Sequence, residues 1–367
     1  MLFAADKRIS GRFRRLMTLY ILFAAACLVW FAWHEDFPRM IQSAAPFTAE
    51  LNVDASWQQH PARSCDQECL SFRNVLSNWP PDKPKAAVYY LAKTSRLHLL
   101  NDSLASLQRN FLDQFDYPVI VFHETDARDL LHGTFRKEHA DIRLFFQEVQ
   151  FNTPDHVNAS LDKLLEHKRY PVGYRHMCRF HAKEVYQQEI LVGLEYAWRL
   201  DDESLLLETV NYDLFAFMKS HRFQYGYIRI WNRTSEYYWT KGLWEAADLY
   251  KNTRHLESRY FDEWTDPIVF YNNFEISALS LWKSQQYQDY INYIDLLGGI
   301  YYNRWGDAPI KTIAVTLFLR EQDVHMFANV SYQHKGFYYP LENTTARPDE
   351  VTSPIHTADV NATQLSS

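Results

Sequence analysis

Glycine is scarce in this sequence, 10 among 367 residues, whereas tyrosine, phenylalanine and tryptophan number 24, 24 and 11. Backbone cradling of phosphates is therefore poorly provided for, and no glycine loop of the Walker or dinucleotide type occurs. A Gly-X-Ser-X-Gly elbow and a His-Glu-X-X-His pair are also missing. Basic excess is lacking too: the net charge of −7 argues against a nucleic-acid binder. There are 4 cysteines. Cys27 lies in an apolar run, which leaves Cys65, Cys69 and Cys178, an odd number, so one thiol is left free or pairs between chains. A Cys65–Cys69 staple is one pairing open to them, and a Cys-X3-Cys pair by itself is a poor zinc site. A hydrophobic content of 47% fits a folded enzyme rather than a disordered chain.

That one long apolar run spans Leu16 to Trp33, behind Lys7, Arg8, Arg12, Arg14 and Arg15. As a helix it reaches roughly 27 Å, enough for a thin early-secretory bilayer. The basic flank favours a cytosolic N-terminus, so residues 1–15 read as a cytosolic tail and 16–33 as a type II signal-anchor. A cleaved signal peptide is the rival reading, given Ala24 to Ala26. Sequons at Asn101, Asn158, Asn232, Asn329, Asn343 and Asn361 agree with a lumenal C-terminal part.

Residues 34–84 read as a stem ending in the proline-rich Trp79–Pro84 run, residues 85–340 as one catalytic domain, and 341–367 as a flexible tail. Within the domain, strands are expected at Lys85–Ala92, Tyr117–His123, Ile142–Val149, Tyr196–Leu200 and Gln224–Trp231. Helices are expected at Asn101–Phe115, Tyr174–Tyr196 and Asn211–His221. From Asn273 onwards the pattern reads as mostly helical until a last strand at Met326–Tyr332. The order predicts an α/β fold with parallel pairing.

Two stretches carry chemistry. Tyr174-Arg175-His176-Met177-Cys178-Arg179-Phe180 sets cations among aromatics, which suits a diphosphate and a base. Trp198-Arg199-Leu200-Asp201-Asp202 ends an apolar strand on two carboxylates, which suits a divalent metal; it reads equally as an acidic turn. Together they read as a nucleotide-sugar site. Lys93, after the first strand, stands where a nucleotide-binding loop begins, or is simply solvated. In Arg304-Trp305-Gly306-Asp307-Ala308-Pro309, Trp305 can stack on a sugar and Asp307 can accept its hydroxyls. The same run reads as a turn opening the helix Ile310–Leu319, with Asp307 as its N-cap.

Tyr-Arg-His-Met-Cys-Arg-Phe resembles the signature of the fungal α-1,2-mannosyltransferases, glycosyltransferase family 15. Asn273-Phe274-Glu275-Ile276, Gly298-Gly299-Ile300-Tyr301-Tyr302, the Arg304–Pro309 run and a closing His325…Tyr332 segment follow in that family's order. The resemblance implies a single large mixed-sheet nucleotide-sugar transferase domain, GT-A-like, behind a Golgi type II membrane anchor. It implies retaining transfer of mannose from GDP-mannose to the 2-hydroxyl of a mannose-terminated glycan, with Mn2+ as cofactor. By resemblance Asp201 and His325 hold the metal, with Asp202 a possible substitute ligand where the family carries proline. Glu275 falls on the proposed nucleophile, and Tyr174 lies near the sugar. Arg175, Arg179 and Arg199 are candidates for the phosphates or guanine, with at least one of them expected to be structural. Two departures, Asp202 and the Met326–Asn329 stretch, leave open a catalytically impaired lumenal scaffold. A third reading is a retaining glycoside hydrolase using Glu275 with Asp201 or Asp307.

Overall fold

Ala86 to Ala92 is an almost uninterrupted apolar run, the pattern of a strand covered on both faces. The computed structural model, which describes residues 65–157, 171–232, 240–264 and 268–339, makes it the fifth strand of a seven-stranded sheet. The strands are β1 Ala86–Ala92, β2 Val119–His123, β3 Leu144–Glu148, β4 Tyr196–Leu200, β5 Ser204–Leu206 and β6 Tyr225–Tyr227, followed by β7 Ile230–Asn232, β8 Ile268–Phe270, β9 Phe274–Ala278, β10 Val324–Met326, β11 Tyr332–His334 and β12 Phe337–Tyr339. The order is β10-β6-β9-β4-β1-β2-β3. β1 runs parallel to β2 and β4, while β9 is antiparallel to β4 and β6, so the sheet is mixed.

Both faces are buried, as side chains alternate along each strand. Tyr89, Phe122, Ala197 and Tyr225 pack on one side with α3 Val172–Ala182, α5 Leu243–Thr253, α6 Gln285–Leu296 and α7 Asp307–Phe318. Val88, Val121, Trp198 and Ile276 pack on the other with α2 Leu97–Leu107 and α4 Leu214–Ser220. Two small sheets, β12-β11-β5 and β7-β8, lie beyond the main one.

Four expectations are corrected. Packed structure starts before residue 85: α1 Gln67–Ser77 buries Cys69, Phe72 and Leu76, and Cys65–Cys69 is a disulfide. The proline-rich run is thus a turn inside the domain. The helix expected through Tyr196 stops at Ala182, where Lys183 leaves helical geometry and bonds Asp295. The strand expected at Gln224–Trp231 is broken into β6 and β7. Asn273-Phe274-Glu275-Ile276 is strand, not helix, because β9 fills the gap between β4 and β6. The Leu16–Trp33 run, most of the stem and the tail lie outside the described residues, among which no helix is long and apolar enough to cross a membrane.

Candidate active site

β4 ends at Leu200, and the chain turns there through Asp201 and Asp202. The two carboxylates part company. Asp202 accepts from Arg96 Nε and Nη2 at 2.6 and 2.7 Å, which ties the tip of β4 to the turn after β1. Asp201 instead lines a cleft with Tyr174, Arg199, Asn273, Arg304, Asp307 and His334. Burial pushes its carboxyl up, but Arg199, His334 and His181 outweigh that and hold it below the ordinary range.

β11 and β12 form a hairpin across Lys335 and Gly336, both at positive φ of 50° and 76°, the primed turn that suits a two-residue loop. The hairpin sets His334 beside Asp201: Nε2 lies 3.6 Å from Oδ2. That nitrogen is buried and has no hydrogen-bond partner. On the other side of the ring, Nδ1 meets Tyr271 Oη at 2.8 Å and the Asn273 carboxamide. Asn273 Oδ1 is also buried without a partner. An amide nitrogen only donates, so as placed Nδ1 accepts and Nε2 bears the proton; with the carboxamide turned, Oδ1 accepts from Nδ1–H and Nε2 keeps its lone pair beside Asp201. An oriented imidazole next to a carboxylate is half of a metal site. No group of three His, Cys, Asp or Glu assembles among the described residues, so a metal here needs its other ligands from substrate or water.

His325 is corrected. It sits in β10, at the edge of the sheet, enclosed by the rings of Phe217, Phe223 and Phe327. Burial lowers its pKa to about 4, and it is not among the cleft residues. Asp202, the possible substitute ligand, is paired with Arg96 and does not line the cleft.

The opposite wall comes from α3 and the start of α7. Tyr174 and Met177, three apart on α3, face the cleft. Arg175 and Arg179, four apart, face elsewhere. Arg175 donates to the carbonyls of Ile300 and Tyr301, at 3.2 and 2.6 Å. Arg179 forms a two-point pair with Asp295, both bonds 2.8 Å, and also pairs with Glu184. Both arginines are engaged with the fold, and neither lines the cleft. Arg304, at φ 60°, lies with its guanidinium 5.3 Å from the Tyr174 ring and lines the cleft.

Arg199 forms the floor. Its Nε and Nη2 donate to Asp201 Oδ1 at 3.2 and 3.1 Å, and its Nη1 donates to Asp307. Asp307 also accepts from Asn272 Nδ2 at 2.8 Å. It is the first residue of α7 rather than its N-cap, which is Gly306. Trp305 is buried, donates to the Lys241 carbonyl at 3.0 Å and packs over Gly299, so it presents no stacking face. Lys93 is exposed at the end of β1 and does not line the cleft.

Glu275 is 1% exposed and is not a lining residue. Lys311 and Ser277, the latter at 3.3 Å, occupy Oε1, and Tyr225 donates to Oε2 at 3.2 Å. The structure does not bring this carboxylate to the cleft. It does bring His334, Tyr271, Trp231 and Phe337, which sequence reasoning missed; the Lys335-Gly336 turn between two aromatic-rich stretches was the available signal.

The family model for glycolipid 2-alpha-mannosyltransferase matches residues 45–363. The O-glycoside alpha-1,2-mannosyltransferase omh1 of Schizosaccharomyces pombe is 27% identical over 375 residues, covering 92% of this chain and 89% of that one. The alpha-1,2 mannosyltransferase KTR1 of Saccharomyces cerevisiae is 29% identical over 297 residues, 74% of each chain. Among solved structures, core-mannan synthase A from Aspergillus fumigatus in its Mn/GDP form superposes with a TM-score of 0.65 at 25% identity, covering 75% of this chain and 82% of that one. Ktr4p from S. cerevisiae in complex with GDP gives 0.66 at 22% identity, over 77% and 86%, which shows the shared fold. A match that runs through every described residue, on this mixed sheet, makes the chain a member of the glycolipid 2-alpha-mannosyltransferase family.

Proposed function

We propose that this chain is a retaining α-1,2-mannosyltransferase that moves mannose from GDP-mannose to the 2-hydroxyl of a terminal mannose on glycoprotein glycans. The observation that carries the reading is the buried, unpartnered Nε2 of His334 at 3.6 Å from the Asp201 carboxylate. The core-mannan synthase relative is described in a Mn/GDP form, and an imidazole with a carboxylate suits Mn2+ better than Mg2+. Asp201 and His334 are the residues that would hold the ion, which when bound would offset the charge that grows on a departing GDP.

The chain supplies the rest. Arg304 and Lys335 line the same cleft and set positive charge beside a diphosphate. Tyr271 and Asn273 fix the His334 ring, and Arg199 fixes Asp201. Asp307 stays ionised: burial raises its pKa, yet Arg199 and His181 pull it well below the ordinary range. It is therefore an acceptor for sugar hydroxyls and no source of protons. With Glu275 occupied by Lys311 away from the lining, front-side displacement assisted by the leaving phosphate is favoured over a covalent intermediate on Glu275.

The same observations weigh against the rivals. A retaining hydrolase needs a carboxyl kept protonated as acid, whereas Asp201 and Asp307 are both held below the ordinary range. The scaffold reading leaned on Asp202 and on the residues after His325, and neither Asp202 nor His325 lines the cleft. The Cys65–Cys69 disulfide suits an oxidising compartment, in line with a lumenal domain on a Golgi type II anchor. Incubation with GDP-mannose, Mn2+ and methyl α-mannoside tests the reading. An α-1,2-linked dimannoside is the expected product; free mannose alone, or no turnover, overturns it.

A further inference from the structure

Lys311 is the one charged residue in the run from Ala308 to Leu319, and it is fully buried. An ammonium taken out of water needs a close partner. Lys311 Nζ donates to Glu275 Oε1 and to the Tyr186 hydroxyl, and lies 4.6 Å from the centre of a Trp282 ring. Neither Lys311 nor Glu275 lines the cleft, so neither is placed to touch a substrate there.

The use of the pair to the cleft runs through Arg199. Arg199 and Glu275 are cross-strand partners on β4 and β9, a relation that sets Cβ atoms roughly 5 Å apart and favours opposite charges pairing. That pair is not made. The guanidinium instead commits Nε and Nη2 to Asp201 and Nη1 to Asp307. Glu275 has its own donors, Lys311 and Ser277 on Oε1 and Tyr225 on Oε2, and of these only Lys311 carries a full charge. Taking Lys311 away leaves a buried carboxylate facing the nearest remaining cation, which is Arg199. The Arg199 bonds most easily given up are those to Asp201, at 3.1 and 3.2 Å longer than the one to Asp307.

We propose that Lys311 is a positioning residue: by holding Glu275 it keeps Arg199 on Asp201, and so presents the Asp201 carboxylate to the cleft. Without Lys311, Arg199 turns to Glu275 and Asp201 loses the donors that orient it. The effect on metal rests on Asp201 holding the ion, as proposed above; the Arg199 switch does not. The test uses the full chain with Lys311→Met, with Lys311→Met/Glu275→Leu, and with Lys311→Gln, a milder neutral change that keeps an amide donor. Crystal structures read the partner of Arg199, and calorimetry with GDP reads Mn2+-dependent affinity in variants whose thermal melts show a folded chain. In Lys311→Met the guanidinium is expected on Glu275, with Mn2+-dependent GDP affinity down about tenfold, the low end for losing a supporting group. Lys311→Gln is expected to move Arg199 the same way, and decides the matter where Lys311→Met does not fold. The double variant should return Arg199 to Asp201 and the affinity to within about twofold of wild type, since no carboxylate is left to attract it. A merely structural role would lower stability and leave Arg199 in place with unchanged affinity, and that result overturns the proposal. So does a double variant as weak in Mn2+-dependent GDP binding as the single one. Arg199 found on Glu275 in Lys311→Met, with no Mn2+-dependent GDP binding even in wild type, contradicts the metal reading alone.

Discussion

Arg199 and Glu275 stand directly opposite each other on the antiparallel strands β4 and β9, and one helix answers both. Asp307 and Lys311, four residues apart on α7, pair with Arg199 and Glu275 respectively. Two cations and two anions thus form a buried square whose register admits one alignment. Sliding α7 by a turn would set Lys311 against Arg199. The square fixes Asp307 and, through Arg199, Asp201 at the cleft floor.

Lys311 is fully buried, and burial lowers its pKa while Glu275 counters that. Removing one partner of such a pair typically costs about 3–5 kcal/mol, because the other charge is stranded. Lys311→Met is expected to lose stability on that scale in a denaturant titration. The double variant with Glu275→Leu should recover most of the loss, since neither charge then remains. Wild-type stability in the single variant would contradict the pairing.

His325 makes a pH prediction. Burial among three phenylalanine rings, with His221 adding to it, lowers its pKa to about 4 from an ordinary 6.5. The unfolded chain takes up the proton first, so this contribution to stability is intact above pH 6.5 and is lost as pH falls toward 4. The shift corresponds to up to about 3 kcal/mol over that window. His325→Phe should flatten part of the fall in melting temperature between those pH values, with transfer activity retained. An unchanged slope would place the titrating group elsewhere.

Asp201 and Asp202 should separate cleanly. Asp202→Asn weakens the tie to Arg96, whose charge Glu203 still meets at 2.8 Å. A modest cost of about 1 kcal/mol is expected, with Mn2+ binding unaltered. Asp201→Asn should abolish the bound Mn2+ signal in an EPR titration with GDP present. Equal losses in both variants would mean that the two carboxylates share the ion.

Strand positions were legible where the sequence is locally decisive. Ala86–Ala92 and Tyr196–Leu200 are apolar runs bounded by polar residues, and the structure places strands there. Glu275 was misread as helical because a short interior strand between β4 and β6 owes its form to partners far along the chain, as its pairs with Tyr227 and Arg199 show. Arg175 and Arg179 looked like phosphate ligands because their true partners, the Ile300 carbonyl and Asp295, lie far along the chain, |i−j| 125 and 116. His334 was not singled out in the sequence, where it stands between Gln333 and Lys335; only the turn at Lys335-Gly336 shows that this imidazole, and not His325, folds back to Asp201.

The metal tether is tested most directly by Mn2+-dependent GDP binding, followed by calorimetry, in His334→Ala and His325→Phe. The predicted result is a loss of ~100-fold or more in His334→Ala, beyond the 10–100-fold typical of losing only a supporting residue, with His325→Phe close to wild type. Wild-type affinity in His334→Ala, or the loss appearing in His325→Phe instead, would contradict the assignment.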